Sequence, residues 1–149
     1  MSGQTARQST QEMTMKKCRL TLEIARWLSP ELALTLSCEF LYTQRDPFAV
    51  TLVLDTGGER PVRWVLSRDM LAEGLTARTG EGDVVLWPLY DLPDGEVSSF
   101  CLRLVSTHTA LFEIPVEPVA RWLDHTYTVV PPGTEMDGAD WDELSQLAD

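Results

Sequence analysis

Apolar and polar residues alternate over several short stretches of this chain, and this alternation constrains its fold more than any other feature. The pattern runs through residues 18–24, breaks at Ser29-Pro30, and returns through residues 34–40, with Leu34 and Phe40 on the apolar side. Successive side chains of a β-strand point to opposite faces, so each stretch predicts a strand with one buried face. Two neighbouring strands therefore open the folded part of the chain.

The rest of the chain repeats the order of strands followed by a helix. Residues 48–55 and 62–66 flank a Thr56-Gly57-Gly58-Glu59 turn and predict a hairpin. The remaining elements are a short helix at 69–75, a plain turn at 79–83, strands at 84–90, 97–105 and 109–114, and helices starting near 117 and 139. This order predicts an α/β fold of the α+β kind, with twisted antiparallel sheets in two strand-rich halves, each followed by a helix.

The length and composition fit one domain preceded by a polar tail. Residues 1–16 are rich in Gln, Ser and Thr and lack periodicity, which predicts a disordered tail, whereas residues 17–149 are expected to form a single domain. The chain is 44% hydrophobic and 23% charged, and it contains no apolar stretch long enough for a signal peptide or a membrane span. We expect a cytoplasmic protein.

The net charge limits the classes of partner. At pH 7 the formal net charge is -11, which opposes binding to nucleic acid or anionic lipid because such binding depends on Lys and Arg. Nucleic acid is therefore an unfavoured partner. The basic residues Lys16, Lys17 and Arg19 keep one alternative open, a single-stranded nucleic-acid-binding module, and they are the residues such a module would use.

Catalytic and metal-binding patterns are weak in this sequence. His108 and His125 have no partner at metal-ligand spacing, so no metal or cofactor is expected, and the three cysteines read as reduced core thiols. Cys101 or Ser106 with His108 is the one nucleophile-and-base arrangement that adjacency allows, but no oxyanion or elbow motif accompanies it. The sequence favours binding over turnover.

The charged residues around Arg68 lie at the junction of a predicted strand and helix, where they form either an active site or a structural corner. Ser67 or Asp69 can cap the helix, and Asp69 and Glu73 are expected on one solvated face beside Arg68. The structural reading is favoured because an N-terminal carboxylate stabilises a helix without any catalytic role. Arg68 is then expected at the surface, free to pair with a carboxylate of a partner.

The candidate interface residues are chosen for their charge or apolar size. We expect Trp64, Trp87 and Trp122 to fill the core, and Trp141 on the last helix to dock either on its own domain or on another chain. The full set of candidate partner or oligomer contacts is Arg68, Arg121, Trp122, Trp141 and Leu144.

Four stretches carry a family resemblance. DPFAVTLVLDTGG, VRWVLSRDMLAEGL, TGEGDVVLWP and VPPGTE follow one another between residues 46 and 135. Their combination in this order resembles the SsgA-like proteins of sporulating actinobacteria, and the resemblance covers about residues 18–147.

The resemblance implies a cytoplasmic, non-enzymatic regulator of sporulation-specific cell division that acts at the septum. Such a protein would be an adaptor that recruits or positions the tubulin-like protein FtsZ, together with SsgA-type partners. The family fold is similar to the whirly architecture, with two four-stranded sheets each followed by a helix, assembled as a homotrimer. Because family members are acidic, the whirly likeness does not by itself imply DNA binding.

Overall fold

The fold is that of a computed structural model, which describes residues 16–91 and 93–137. This part of the chain contains eight strands and two helices. In chain order they are β1 (Lys17–Ser29), β2 (Leu32–Thr43), β3 (Ala49–Leu54), β4 (Val62–Ser67), α1 (Arg68–Gly74), β5 (Thr79–Glu81), β6 (Val84–Tyr90), β7 (Val97–Val105), β8 (Thr109–Pro115) and α2 (Val116–Val129).

The eight strands form one antiparallel sheet made of two halves. The strand order is β4-β3-β2-β1-β8-β7-β6-β5, so each half is a four-stranded meander. The halves meet where β1 pairs with β8, and only Ala25, Arg26 and Trp27 take part, opposite Glu113, Phe112 and Leu111. We call this short ladder the seam. Two strand-rich halves, each followed by a helix, were predicted, and that prediction is confirmed, with the halves joined at the seam into a single sheet.

One face of the curled sheet encloses the core. Directly paired residues such as Leu20 and Phe40 share a face, and both belong to this core or pack against it. Helix α2 lies against β1 and β7, and α1 lies against β4, β5 and β6, so each helix covers part of the inner face. The alternation read from the sequence therefore identifies the buried face of most strands. All three cysteines are free and buried, as predicted.

The predicted plain turn at residues 79–83 is only partly correct. Thr79–Glu81 form the short strand β5, which pairs with the first three residues of β6 through a tight connection. Gly80 has φ 93°, and a Cβ there would lie 2.3 Å from the carbonyl oxygen of Val84, so glycine is required. Pro88 lies beyond the end of β5, on an open edge of β6, as its missing N–H requires.

The tip of the first hairpin contradicts the predicted burial. Strand β2 has 12 residues, but β3 pairs only with its residues Cys38 to Leu41. Within the described chain, the edge of residues 32–37 that faces away from β1 therefore has no neighbouring strand. Leu34, predicted on a buried face, is 48% exposed because no element among the described residues covers the hairpin beyond Cys38.

Both described helices start where the sequence predicts. The Ser67 hydroxyl accepts a hydrogen bond from the Met70 amide at 2.8 Å, which confirms Ser67 as the N-cap of α1, while Asp69 lies in the first turn. Asp69 and Glu73 are both exposed, as expected. The predicted last helix, starting near residue 139, lies outside the described residues.

Candidate functional site

The side chain of Arg68 is buried at the end of the sheet where β1 begins. It is 1% exposed, and its guanidinium lies between two aromatic rings, 4.8 Å from the centre of Tyr42 and 4.7 Å from that of Tyr127. Its Nη1 donates hydrogen bonds to the carbonyl oxygens of Thr126 at 3.2 Å and Val130 at 2.8 Å. We call these residues, together with Glu135, the Arg68 cluster.

Glu135 completes the charge balance of this cluster. Its Oε2 lies 3.6 Å from Arg68 Nη2, an ion pair longer than a hydrogen bond, and the two side chains are 7% and 1% exposed. Arg68 Nη2 and Nε have no hydrogen-bond partner within the described residues, so the rings and the carboxylate supply the compensating interactions. The expectation of a surface Arg68 that pairs with a partner is therefore wrong.

The cluster joins segments that are far apart in sequence. Arg68 belongs to α1, Tyr42 to β2 and Tyr127 to α2, and Glu135 follows α2. Desolvation by burial raises the pKa of both tyrosines, although the Arg68 charge lowers it in part, so both phenols remain protonated at neutral pH. The hinge at Arg68 is thus a buried structural corner.

The other predicted interface residues have different environments. Arg121 is exposed, and its Nη2 lies 3.8 Å from Oε1 of Glu117, one turn earlier in α2. Trp122 is 6% exposed, with its ring centroid 5.7 Å from that of Phe40, so it is a core residue and not a contact surface. Trp141 and Leu144 lie outside the described residues.

The candidate nucleophile Cys101 is not activated by its surroundings. Burial, with a smaller effect of the nearby Glu113 charge, raises the pKa of its thiol from 9.0 to about 11, which disfavours the thiolate. Cys101 pairs with Glu113 in the ladder, whereas His108 lies in the turn beyond the last pair, Val105 and Thr109. The Cys101–His108 arrangement that adjacency allows is therefore not supported by the ladder.

The tip of the first hairpin exposes three large apolar side chains close together in sequence. Leu28, Leu32 and Leu34 are 51%, 52% and 48% exposed, and they fall within seven consecutive residues. We call residues 28–34 the hairpin tip. Glu31 is its only charged residue. A cluster of this kind on an ordered strand pair is typical of an interaction surface.

An apolar groove adjoins the hairpin tip on the outer face of the sheet. It crosses the seam, has a volume of about 450 Å³, and is lined by Trp27, Leu28, Ser29, Pro30, Leu89, Cys101, Leu111 and Glu113. We call it the seam groove. Trp27 Nε1 donates a hydrogen bond to Glu113 Oε1 at 3.1 Å, which fixes the orientation of the indole and joins the two halves.

A second cavity lies on the core side, where the two halves of the sheet diverge. Its volume is about 200 Å³, and its lining is Arg26, Leu36, Leu54, Val62, Trp64, Leu104, Ser106, His108, Ala110 and Phe112. Within the described part of the chain, Arg26 and His108 are its only ionisable lining residues, and Arg26 has no ion-pair partner there. We call it the basic cavity.

Some of these features were missed from sequence although a signal existed. Extending the inward positions Val62, Trp64 and Leu66 by one more step places Arg68 on the buried side. For the hairpin tip no such signal exists, because the exposure of its leucines depends on β3 being shorter than β2.

The arrangement defines a class of protein before any comparison is made. The described residues form a curled antiparallel sheet with two covering helices, a buried Arg68–Glu135 ion pair and exposed apolar surfaces, which is an α+β fold. Comparison with known proteins then assigns the family. The family model described as "Streptomyces sporulation and cell division protein, SsgA" matches residues 36–135, and this chain belongs to that family.

Individual relatives agree with this assignment. The chain is 40% identical over 136 residues to the sporulation-specific cell division protein SsgB of Streptomyces coelicolor, covering 90% of this chain and 96% of the relative. It is 44% identical over 103 residues to SsgB of Saccharopolyspora erythraea, covering 69% and 71%.

Solved structures share the fold. A structure from work on SsgB mutations and longitudinal cell division during sporulation of Streptomyces coelicolor matches with a TM-score of 0.76 and 36% identity, over 83% of this chain and 95% of that one. An SsgA-like sporulation-specific cell division protein of Thermobifida fusca matches with a TM-score of 0.76 and 29% identity, over 88% and 95%. No helix in residues 16–91 and 93–137 has the length and apolar character of a membrane span.

Proposed function

We propose that this protein is a non-enzymatic adaptor of sporulation-specific cell division that positions FtsZ at the septum. It works in the cytoplasm, assembles as a homotrimer, and acts together with SsgA-type proteins. The names of its relatives support the sporulation and division role. The observation that carries an adaptor function is the hairpin tip, where three leucines of an ordered hairpin are about half exposed.

The hairpin tip suits a partner bound by apolar contact. Leu28 lines the seam groove, so protruding and concave apolar surfaces meet at the tip, while Leu34, opposite Arg26 in the ladder, extends the apolar surface to the other face of the hairpin. Apolar side chains that desolvate at the centre of an interface contribute most of its binding free energy. A partner that covers both features would also hold the two halves of the sheet together across the seam.

Electrostatics set a condition on this binding. The chain carries a net charge of -11, and FtsZ-type proteins are generally acidic, so long-range steering between them is repulsive. The complex must form where charge is sparse, and the hairpin tip with its single Glu31 meets this requirement. Salt screens the repulsion, so added salt is expected to preserve or strengthen binding.

The experiment compares two variants that each remove exposed apolar surface. Leu32→Ser combined with Leu34→Ser alters the hairpin tip, and Val65→Ser alters the outer side of β4, where Val65 is 61% exposed. Co-sedimentation with the organism's FtsZ at two salt concentrations should show binding at least about tenfold weaker for the tip variant only. Equal effects of both variants would contradict the assignment of this surface. Loss of wild-type binding at modest salt would instead favour a charge-driven contact.

A further inference from the structure

The basic cavity has an unusual charge for this chain. The chain contains 23 Asp and Glu residues against 12 Lys and Arg residues, yet among residues 16–91 and 93–137 the cavity is lined by Arg26 and His108 and by no carboxylate. The rest of its lining is apolar or small, apart from Ser106. A cavity of this composition fits an apolar side chain that is flanked by negative charge.

We propose that the basic cavity binds the C-terminal segment, residues 138–149, of a second copy of this chain. The inference rests on the self-association in the proposed function but not on FtsZ binding. It extends that function by naming the contact through which copies join.

The sequence of this segment complements the cavity. Residues 138–149 contain Trp141, Leu144 and Leu147 together with four carboxylate side chains, and they contain no Lys, Arg or His. The cavity volume of about 200 Å³ is below the roughly 300–1,000 Å³ of pockets that enclose a drug-sized ligand, so it suits one bulky side chain. Trp141 is the side chain assigned to it, because Asp140 and Asp142 flank it and can approach Arg26 and His108.

The distances favour a second copy over the same chain. Glu135 is held by Arg68, directly after the end of β4, whereas the cavity is lined by Val62 and Trp64 at the start of that strand. A strand of this length spans about 20 Å. Trp141 lies six positions after Glu135, and six residues cover about 9 Å in a helix and at most about 21 Å when fully extended. The same chain would therefore reach the cavity only in a nearly fully extended form, whereas the sequence predicts a helix from about residue 139.

A contact between one copy's C-terminal segment and another copy's cavity joins two different surfaces. Such head-to-tail contacts close into rings when the rotation between copies allows it, which agrees with the cyclic assembly proposed above. Because the contact pairs opposite charges at a partly open cavity, it should weaken as salt rises. The hairpin tip is expected to respond to salt in the opposite direction.

The first test measures assembly by sedimentation equilibrium of the full-length chain. Arg26→Glu and Trp141→Ala should each raise the dissociation constant at least about tenfold. Arg45→Glu is the matched control, because Arg45 is exposed in the loop between β2 and β3 and the charge change is the same, and it should shift the constant less than about twofold. Combining Arg26→Glu with Asp140→Lys and Asp142→Lys should restore assembly, which simple unfolding of the Arg26 variant could not do.

The second test identifies the contact by disulfide cross-linking. Ser106→Cys in one copy and Asp142→Cys in a distinguishably tagged copy should give a linked pair under mild oxidation, while the native thiols are buried and should not react.

The two tests have outcomes that would overturn the proposal. Assembly unaffected by Arg26→Glu and Trp141→Ala overturns it, and so does a wild-type chain that stays monomeric. A link that forms only within a doubly substituted chain, at all dilutions, also overturns it. FtsZ binding that fails while these contacts hold would count against the proposed function alone.

Discussion

The Arg68 cluster and the hairpin tip lie at opposite ends of strand β1 and reverse the usual placement of charge and apolar surface. At the first end a guanidinium is 1% exposed, between two aromatic rings and beside Glu135. At the other end leucines are about half exposed on a regular strand pair. Buried charge normally costs stability unless it is paired, and exposed apolar surface gains nothing from folding. The first end is therefore explained within one protomer, and the second is not.

This difference separates residues that hold the fold from residues that are available for binding. The Arg68 cluster joins α1, β2, α2 and the segment after α2, so it fixes the position of Glu135 against the sheet. The leucines of the hairpin tip are about half exposed among the described residues and do not belong to the core cluster, so they can change with less effect on the core. Substitutions at the two ends should therefore have opposite profiles, with stability affected at one and binding at the other.

The largest effect is expected for Arg68→Met. This change leaves the Glu135 carboxylate buried without its cation and removes the donor for the carbonyl oxygens of Thr126 and Val130. We expect a loss of about 3–5 kcal/mol in the free energy of unfolding, measured by urea denaturation. Arg121→Met is the control, since its ion pair is exposed, and it should change stability by less than about 1 kcal/mol. Equal losses for both variants would show that burial of the Arg68 ion pair adds no stability beyond that of an exposed pair.

Alkaline pH should destabilise the protein through its buried thiols. Burial raises the pKa of Cys38 from 9.0 to about 12 and, with a smaller Glu113 contribution, that of Cys101 to about 11, so the folded thiols keep their protons where the unfolded ones lose them. Stability is then fully present below pH 9 and falls as pH rises toward 11 and 12, by up to about 1.4 kcal/mol per pH unit for each thiol.

A cysteine variant isolates one of these contributions. Cys38→Ala should flatten the decline of unfolding free energy between pH 9 and pH 11, even though the smaller side chain lowers stability at neutral pH. Denaturant titrations at several pH values would measure the slope. An unchanged slope in this variant would show that Cys38 does not contribute to the alkaline loss.

The sequence predicted the elements of this fold because alternation and turn chemistry are local signals. The hairpin around Gly57-Gly58, the Ser67 cap and the start of α2 all follow from residues within a few positions of each other. The partners of Arg68 could not be read in this way, since Glu135 is 67 positions away from it in sequence and only the fold brings them together. Exposure of Leu34 likewise depends on the relative lengths of two strands, which no local pattern encodes.

The seam should show an intermediate effect, because it belongs to the fold and borders the groove. Trp27→Phe keeps a large ring but removes the hydrogen bond from Nε1 to Glu113 Oε1. We expect a loss of about 1 kcal/mol in the free energy of unfolding, measured by urea denaturation. Glu113→Gln retains an acceptor for the indole and should lose less. A larger loss for Glu113→Gln than for Trp27→Phe would assign the seam's stability to the charge and not to this hydrogen bond.

The smallest effect on stability is expected where the effect on binding is largest. Leu32→Ser removes a side chain that is 52% exposed, so only about half of its apolar surface is lost from the fold and the free energy of unfolding should fall by no more than about 1 kcal/mol. Phe40→Ala is a matched change on the same strand at a fully buried position, where about 3–5 kcal/mol should be lost. Thermal and urea unfolding of both variants, followed by FtsZ binding of the stable one, would compare the two environments directly. If Leu32→Ser destabilised the isolated protomer strongly, the hairpin tip would have to be part of a hidden core, and its assignment as a docking surface would fail.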